Sequence, residues 1–118
     1  MGEHVIVVED DDDIREALVA LLESAGHAVV GARHGREALE RLRRRDICLI
    51  LLDLWMPVMN GWEFRYEQEK DPALAAIPVV VITADHSAAN HSDGFGAAAW
   101  MTKPVDCDRL LELVERLC

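Results

Sequence analysis

The chain has 118 residues, 22 of them acidic and 12 basic for a formal net charge of −10, and 51% of its residues are apolar. Such a length suits one compact domain that buries roughly two-thirds of the surface its unfolded chain exposes, and residues 1–118 are read as a single domain. An acidic surface repels phosphate backbones and anionic headgroups, which argues against direct contact with nucleic acid or a membrane surface, and the longest apolar runs, Ile47–Leu52 and Ile77–Ile82, are too short to cross a bilayer.

Taken in order, His4–Glu9 forms a first predicted strand, and Ile14, Ala17, Leu18, Leu21, Leu22 and Ala25 then recur at helical spacing up to Gly26. His27–Arg33 is a second strand, and Gly35–Arg45 a helix with Ala38, Leu39 and Leu42 inward. Ile47–Leu52 is apolar without alternation, as a parallel strand covered on both faces requires. Asn60 and Glu63 form a capping box for a helix running to about Lys70. Pro78–Thr83 and Ala97–Thr102 are the fourth and fifth strands, and Asp106 caps a last helix with Leu110, Leu113, Val114 and Leu117 on one face. Alternating strands and helices predict an α/β fold, a doubly wound five-stranded parallel sheet of order 2-1-3-4-5.

Such sheets place their sites at the carboxyl ends of the strands. Strand one delivers Glu9 and Asp10 to that edge, strand three Asp53, strand four Thr83 and strand five Lys103. Carboxylates from adjacent strands around one point make a hard oxygen site suited to Mg²⁺. The unbroken run Glu9–Asp13 by itself fits equally a helix start followed by a solvated acidic turn. Asp53, ending a wholly apolar strand, tips the balance towards a cation, because a lone buried carboxylate is expensive.

The stretches "VIVVEDDDDIREAL", "LILLDLWMPVMNGWE", "IPVVVITAD" and "AAAWMTKP", in that order, resemble the receiver domain of bacterial two-component response regulators over essentially the whole chain. The resemblance implies a flavodoxin-like (βα)5 fold and a phosphorylation-dependent switch. Asp53 would accept a phosphoryl group from a sensor histidine kinase or a histidine phosphotransfer protein. Asp10, Asp53 and the backbone carbonyl of Trp55 would hold Mg²⁺, with Glu9 acting mostly through water, while Lys103 would pair with the phosphoryl oxygens. Thr83 and Trp100 fit the family's switch pair, the hydroxyl moving inward and the aromatic following; the plain alternative is a strand-end Thr and a core aromatic. Asp85 and Trp55 occupy positions that tune phosphoryl lifetime in the family, and Lys103-Pro104 is a candidate cis peptide.

The match is shortest over Asp85–Gly96, where a shortened or irregular fourth helix is expected. Arg41, Arg43, Arg44 and Arg45 read as a solvated helix end rather than a docking patch. His86 and His91 read as surface residues, and Leu111 falls outside the inward face of the last helix. Glu3 and Asp10 come too early for an apolar leader, and Ile6 stands where a myristoylation motif wants Ser or Thr. Cys48, Cys107 and Cys118 lack CxxC spacing and suit a reducing compartment better than a disulfide scaffold or a zinc site, so a cytoplasmic location is expected.

A haloacid-dehalogenase-like phosphatase would want Asp where Trp55 stands, and a flavin or nucleotide binder would want a Gly- or Ser/Thr-rich loop where the carboxylates stand. The reading is therefore a switch rather than a turnover enzyme, although one that catalyses its own phosphorylation and dephosphorylation. Its alternative is a degenerate receiver acting as a phosphorylation-independent interaction module. The downstream effector is unassigned, and the sequence fits a stand-alone receiver as well as a piece of a longer regulator or hybrid kinase.

Overall fold

The computed structural model describes residues 3–87 and 94–118. Strands β1 (His4–Val8), β2 (Ala28–Ala32), β3 (Ile47–Leu52), β4 (Val79–Thr83) and β5 (Ala99–Thr102) form one sheet, parallel throughout, in the order β2-β1-β3-β4-β5. The helices among the described residues are α1 (Asp12–Ser24), α2 (Gly35–Leu42), α3 (Gly61–Lys70), α4 (Pro72–Ala75) and α5 (Cys107–Leu117).

The unbroken apolar strands follow from the sheet having two buried faces. Successive strand residues point to opposite sides. Ile6, Val8, Ile50, Leu52, Val79 and Val81 therefore enter one core with Ala38, Leu39 and Leu42 of α2 and Phe64 of α3. Their alternates Val5, Val7, Leu49, Leu51, Val80 and Ile82 enter the other, with Leu18 and Leu22 of α1 and Leu110, Leu113 and Val114 of α5. Leu111, expected off the inward face of α5, is partly buried against this second core.

Helix starts obey local chemistry. Asp11 caps α1 by accepting from the Ile14 N–H at 3.0 Å, and Asn60 and Glu63 complete the capping box of α3 at 2.9 and 3.0 Å. Helix α2 stops at Leu42, three residues short of the predicted end. The N–H groups of Arg44 and Arg45 both converge on the Arg41 carbonyl at 3.1 Å, closing the last turn there. Helix α4 was not anticipated, although Asp71-Pro72 is a cap followed by a first-turn proline. Buried Gln68 ties α3 to that helix, donating to the carbonyls of Leu74 and Ile77 at 2.9 and 3.1 Å. The shortened helix expected within Asp85–Gly96 falls largely on residues 88–93, as does His91, and these lie outside the described residues; His86 is exposed.

The expectation about the cysteines is corrected. Cys48 and Cys118 are joined as a disulfide with Cα atoms 5.2 Å apart, and Cys107 is free and exposed. CxxC spacing finds only local pairs, whereas α5 returns across the sheet and brings together residues 70 apart in sequence. Among the described residues, no helix is long and apolar enough to cross a membrane.

Val58, in the loop between β3 and α3, has φ +68° and is 65% exposed. A β-branched residue in the left-handed region costs roughly 1–2 kcal/mol, and Val58 offsets little of this by burial. Val58→Gly is expected to stabilise the domain by about 0.5–1 kcal/mol in urea unfolding, after allowing for the greater unfolded-state freedom of glycine. A lower midpoint would show that packing of the valine outweighs its strain.

Candidate functional site

Each strand ends at one rim and hands its next residue to it. Asp53 N–H donates to Val8 O at 3.0 Å, and Glu9 N–H donates to Ala32 O at 3.0 Å, so the residues following β1 and β3 are held by sheet-like bonds. Lys103 is held the same way, its N–H on Thr83 O at 2.8 Å. These bonds bring Glu9, Asp10 and Asp53 together with carboxylate oxygens within 4.8 Å of one another. Glu9 and Asp53 are buried and Asp10 is exposed.

Lys103 reaches into this group, with Nζ 2.5 Å from Glu9 Oε1 and 3.5 Å from Asp53 Oδ2. Its nearer partner is thus Glu9, and the sequence reading of Lys103 as a group facing the acceptor omitted this pair. A Lys at the far end of the chain cannot be matched to one of five consecutive carboxylates without the register of the strands. Asp53 Oδ1 accepts from the Trp55 N–H at 3.4 Å, which fixes the plane of the carboxylate. Thr83 Oγ1 accepts from the Asp85 N–H at 3.1 Å, at the same rim.

The rest of the acidic run is handled separately. Asp11 caps α1, and Arg15 donates to the Glu9 carbonyl at 2.9 Å and pairs with Asp12 at 2.5 Å. Sequence reasoning passed over Arg15, although three-residue spacing from Asp12 on a helix was the available signal.

Trp55 is 56% exposed, with its ring tilted against Trp62 at 4.9 Å between centroids. Trp100 is not brought into the carboxylate group. It lies opposite Val81, two residues back from Thr83 on the same face of the sheet, edge-to-face with Phe95 at 5.4 Å. Lys103-Pro104 is cis. Gly61 presses the start of α3 against the loop: a Cβ there would stand 2.9 Å from Leu54 Cα and 3.1 Å from Asp53 O.

The electrostatics follow from crowding. Burial raises the Glu9 carboxyl above its ordinary value, against the hydrogen bond from Lys103 and with the help of Asp53. Partial burial, then Glu9, raises Asp10. Burial works against the Lys103 charge, but its bond to Glu9 and the charges of Asp53 and Glu9 outweigh this and raise it. Three carboxylates around one ammonium leave two negative charges unbalanced. An all-oxygen donor set with that deficit fits a hard divalent cation.

The chain is a doubly wound parallel sheet with an acidic cluster and a lysine at its switch-point rim. Residues 5–115 match the response regulator receiver domain family. The chain belongs to that family. It is similar to Protein PilH of Pseudomonas aeruginosa (31% identical, 93% of each chain covered) and to the transcriptional regulatory protein CrdR of Helicobacter pylori (34% identical, 98% of this chain and 55% of that one). It thus spans nearly all of the first and about half of the second. Among solved structures it superposes on the Vibrio cholerae chemotaxis protein CheY4 with a TM-score of 0.89 (28% identical, all of both chains). On the response regulator TrrA of Thermotoga maritima, solved in complex with Mg²⁺–BeF, the TM-score is 0.85 (29% identical, 98% and 99% covered).

One expectation is corrected here. The sequence reading set the chain down as a non-enzyme that catalyses its own phosphorylation and dephosphorylation. Family membership establishes a receiver domain, and self-catalysis neither follows from that membership nor sorts the chain as enzyme or non-enzyme.

The raised carboxyls give a pH test. A carboxyl raised by folding binds its proton more tightly folded than unfolded, so stability falls as pH rises from the ordinary carboxylate range through the folded value. The full repulsion is present at neutral pH. Mg²⁺ would relieve it there and compete with protons below. At a Mg²⁺ concentration about ten times its dissociation constant, near pH 7.5, stability should rise by about 1.4 kcal/mol. Near pH 4.5 most of that gain should vanish, as read from thermal unfolding with Mg²⁺ against chelator. A gain independent of pH would place the ion elsewhere.

Proposed function

We propose that the chain is a single receiver domain acting as a phosphorylation-dependent switch, in which Asp53 accepts a phosphoryl group from the phosphohistidine of a sensor histidine kinase or a histidine phosphotransfer protein. The observation that carries this is the convergence of the Glu9, Asp10 and Asp53 carboxylates within 4.8 Å, with the Lys103 ammonium 3.5 Å from Asp53.

Phosphoryl transfer asks for in-line positioning and for neutralisation of charge spread over the equatorial oxygens. The Trp55 N–H on Asp53 Oδ1 orients the carboxylate so that its other oxygen faces the rim beside Lys103. A carboxylate oxygen of Asp53 attacks phosphorus as the phosphorus–nitrogen bond to the donor imidazole breaks, and the imidazole leaves with its electron pair. Lys103, drawn from Glu9 and Asp53, meets the incoming oxygens with its ammonium, and the Thr83 hydroxyl donates to one of them. Ala84, exposed and small, leaves the donor room to approach.

Mg²⁺ suits the donor set, held by Asp10, Asp53 and the Trp55 carbonyl, with Glu9 through water; when bound it supplies the positive charge that lets an anionic carboxylate and an anionic phosphoryl group meet. The relative solved with Mg²⁺–BeF supports that choice. Turning of the Thr83 hydroxyl towards the phosphoryl group frees space on the face shared with Trp100, and the ring follows, shifting the population of two conformations. The downstream partner reads that shift.

The test is intact mass after incubation with acetyl phosphate, with Mg²⁺ and with chelator, for wild type and Asp53→Asn. The expected result is a gain of one phosphoryl group that needs Mg²⁺ and is lost in Asp53→Asn. No gain from acetyl phosphate or from a phosphorylated histidine donor would favour a phosphorylation-independent interaction module. A gain that persists in Asp53→Asn would overturn the assignment of the acceptor.

A further inference from the structure

We propose that Cys48 and Cys118 form a reversible thiol–disulfide exchange site, at the pole of the sheet opposite Asp53, that is closed by a small cationic disulfide and then locks α5 to β3. The pair is distinct from the phosphoacceptor rim: Cys48 is the second residue of β3, at the end of the strand remote from Asp53, and Cys118 follows α5.

Backbone placement makes the pair. The Cα atoms stand 5.2 Å apart, within the separation a disulfide spans. Both positions are fixed by the fold rather than by chance approach. Cys48 lies in a paired strand, and the Cys118 N–H donates to Val114 O at 2.9 Å, continuing the helical pattern of α5. The open state is also provided for. The Cys48 sulfur lies 3.5 Å from the His4 carbonyl oxygen, an acceptor ready for its S–H once the bond is broken.

Exposure sets the order of events. Cys118 is exposed and Cys48 half-buried, so the incoming reagent meets Cys118 first. The Cys118 thiolate attacks one sulfur of the small disulfide, forming a mixed disulfide and expelling one thiolate. The Cys48 thiolate then attacks the Cys118 sulfur, and the second small thiolate leaves. Two protein thiols are oxidised, one small disulfide is reduced to two thiols, and the two protons pass to the leaving groups through solvent. A small thiol reverses both steps.

Charge selects the reagent. A Glu3 carboxylate oxygen lies within 4.8 Å of both sulfurs, on a chain of net charge −10. An anionic disulfide is repelled from such a site and a cationic one drawn to it. Cys107 supplies an internal control. It is exposed at the other end of α5 and, among the described residues, is a free cysteine.

The test treats the fully reduced chain with cystamine, or with oxidised glutathione, and follows intact mass and peptide maps. Cystamine should yield a Cys48–Cys118 cross-link with the loss of two hydrogens, while Cys107 keeps a mixed disulfide. Closure should run on the order of tenfold faster with cystamine than with oxidised glutathione at low salt. It should also raise the unfolding temperature by about 10 °C, reversed by reductant. Cys48→Ser should stop at a mixed disulfide on Cys118. Stable mixed disulfides on both Cys118 and Cys107 of the wild type, without a cross-link, would overturn the site. Equal rates with the two reagents would overturn the role given to Glu3.

Discussion

Repulsion among Glu9, Asp10 and Asp53, only partly offset by Lys103, is the constraint around which this domain is arranged. Three carboxylates do not gather within 4.8 Å of one another unless a scaffold holds their backbones there. The scaffold is the parallel sheet, whose central strands β1 and β3 are neighbours and buried on both faces. Lateral hydrogen bonds continue one residue past β1, β3 and β5, so Glu9 and Asp53 inherit the rigidity of the core. Burial of the two hydrophobic faces thus opposes a local electrostatic cost at the rim. The site holds a standing deficit of positive charge, the condition under which an incoming cation has the greatest effect.

The same logic divides the acidic run after β1. Glu9 and Asp10 belong to the rim, Asp11 to the first turn of α1, and Asp12 to Arg15. Five consecutive carboxylates look uniform in sequence because their side chains are chemically alike. They part company in space because the chain turns from strand to helix across three residues, Glu9 to Asp11.

That difference explains what the sequence disclosed. Strand order, the rim residues Glu9, Asp10, Asp53, Thr83 and Lys103, and the caps at Asn60 and Asp106 were all legible, since each follows from period, from a cap's local geometry or from a strand's end. Pairings that depend on tertiary approach were not. The bond between Lys103 and Glu9 links residues 94 apart, and the contact of Cys48 with Cys118 links residues 70 apart. No local spacing encodes either. Helix α4 was missed for another reason, because a single turn of four residues gives periodicity nothing to measure. The end of α2 lies where the N–H groups of Arg44 and Arg45 share the Arg41 carbonyl, a backbone detail that apolar periodicity does not register.

Gly61 carries a consequence for how such a site can be altered. Helix α3 begins so close to the acceptor that a single added carbon would meet the backbone of Leu54 and the carbonyl of Asp53 at 2.9 and 3.1 Å. The helix start and the acceptor loop therefore behave as one rigid piece, and a change at the first turn of α3 is delivered to Asp53 as a displacement. Transplanting this rim to another parallel sheet would require carrying residues 53–63 as a unit, since strand ends alone would not reproduce where the carboxylate points. Variation that reshapes the outer face of α3 is, by contrast, free to proceed from the second turn onwards.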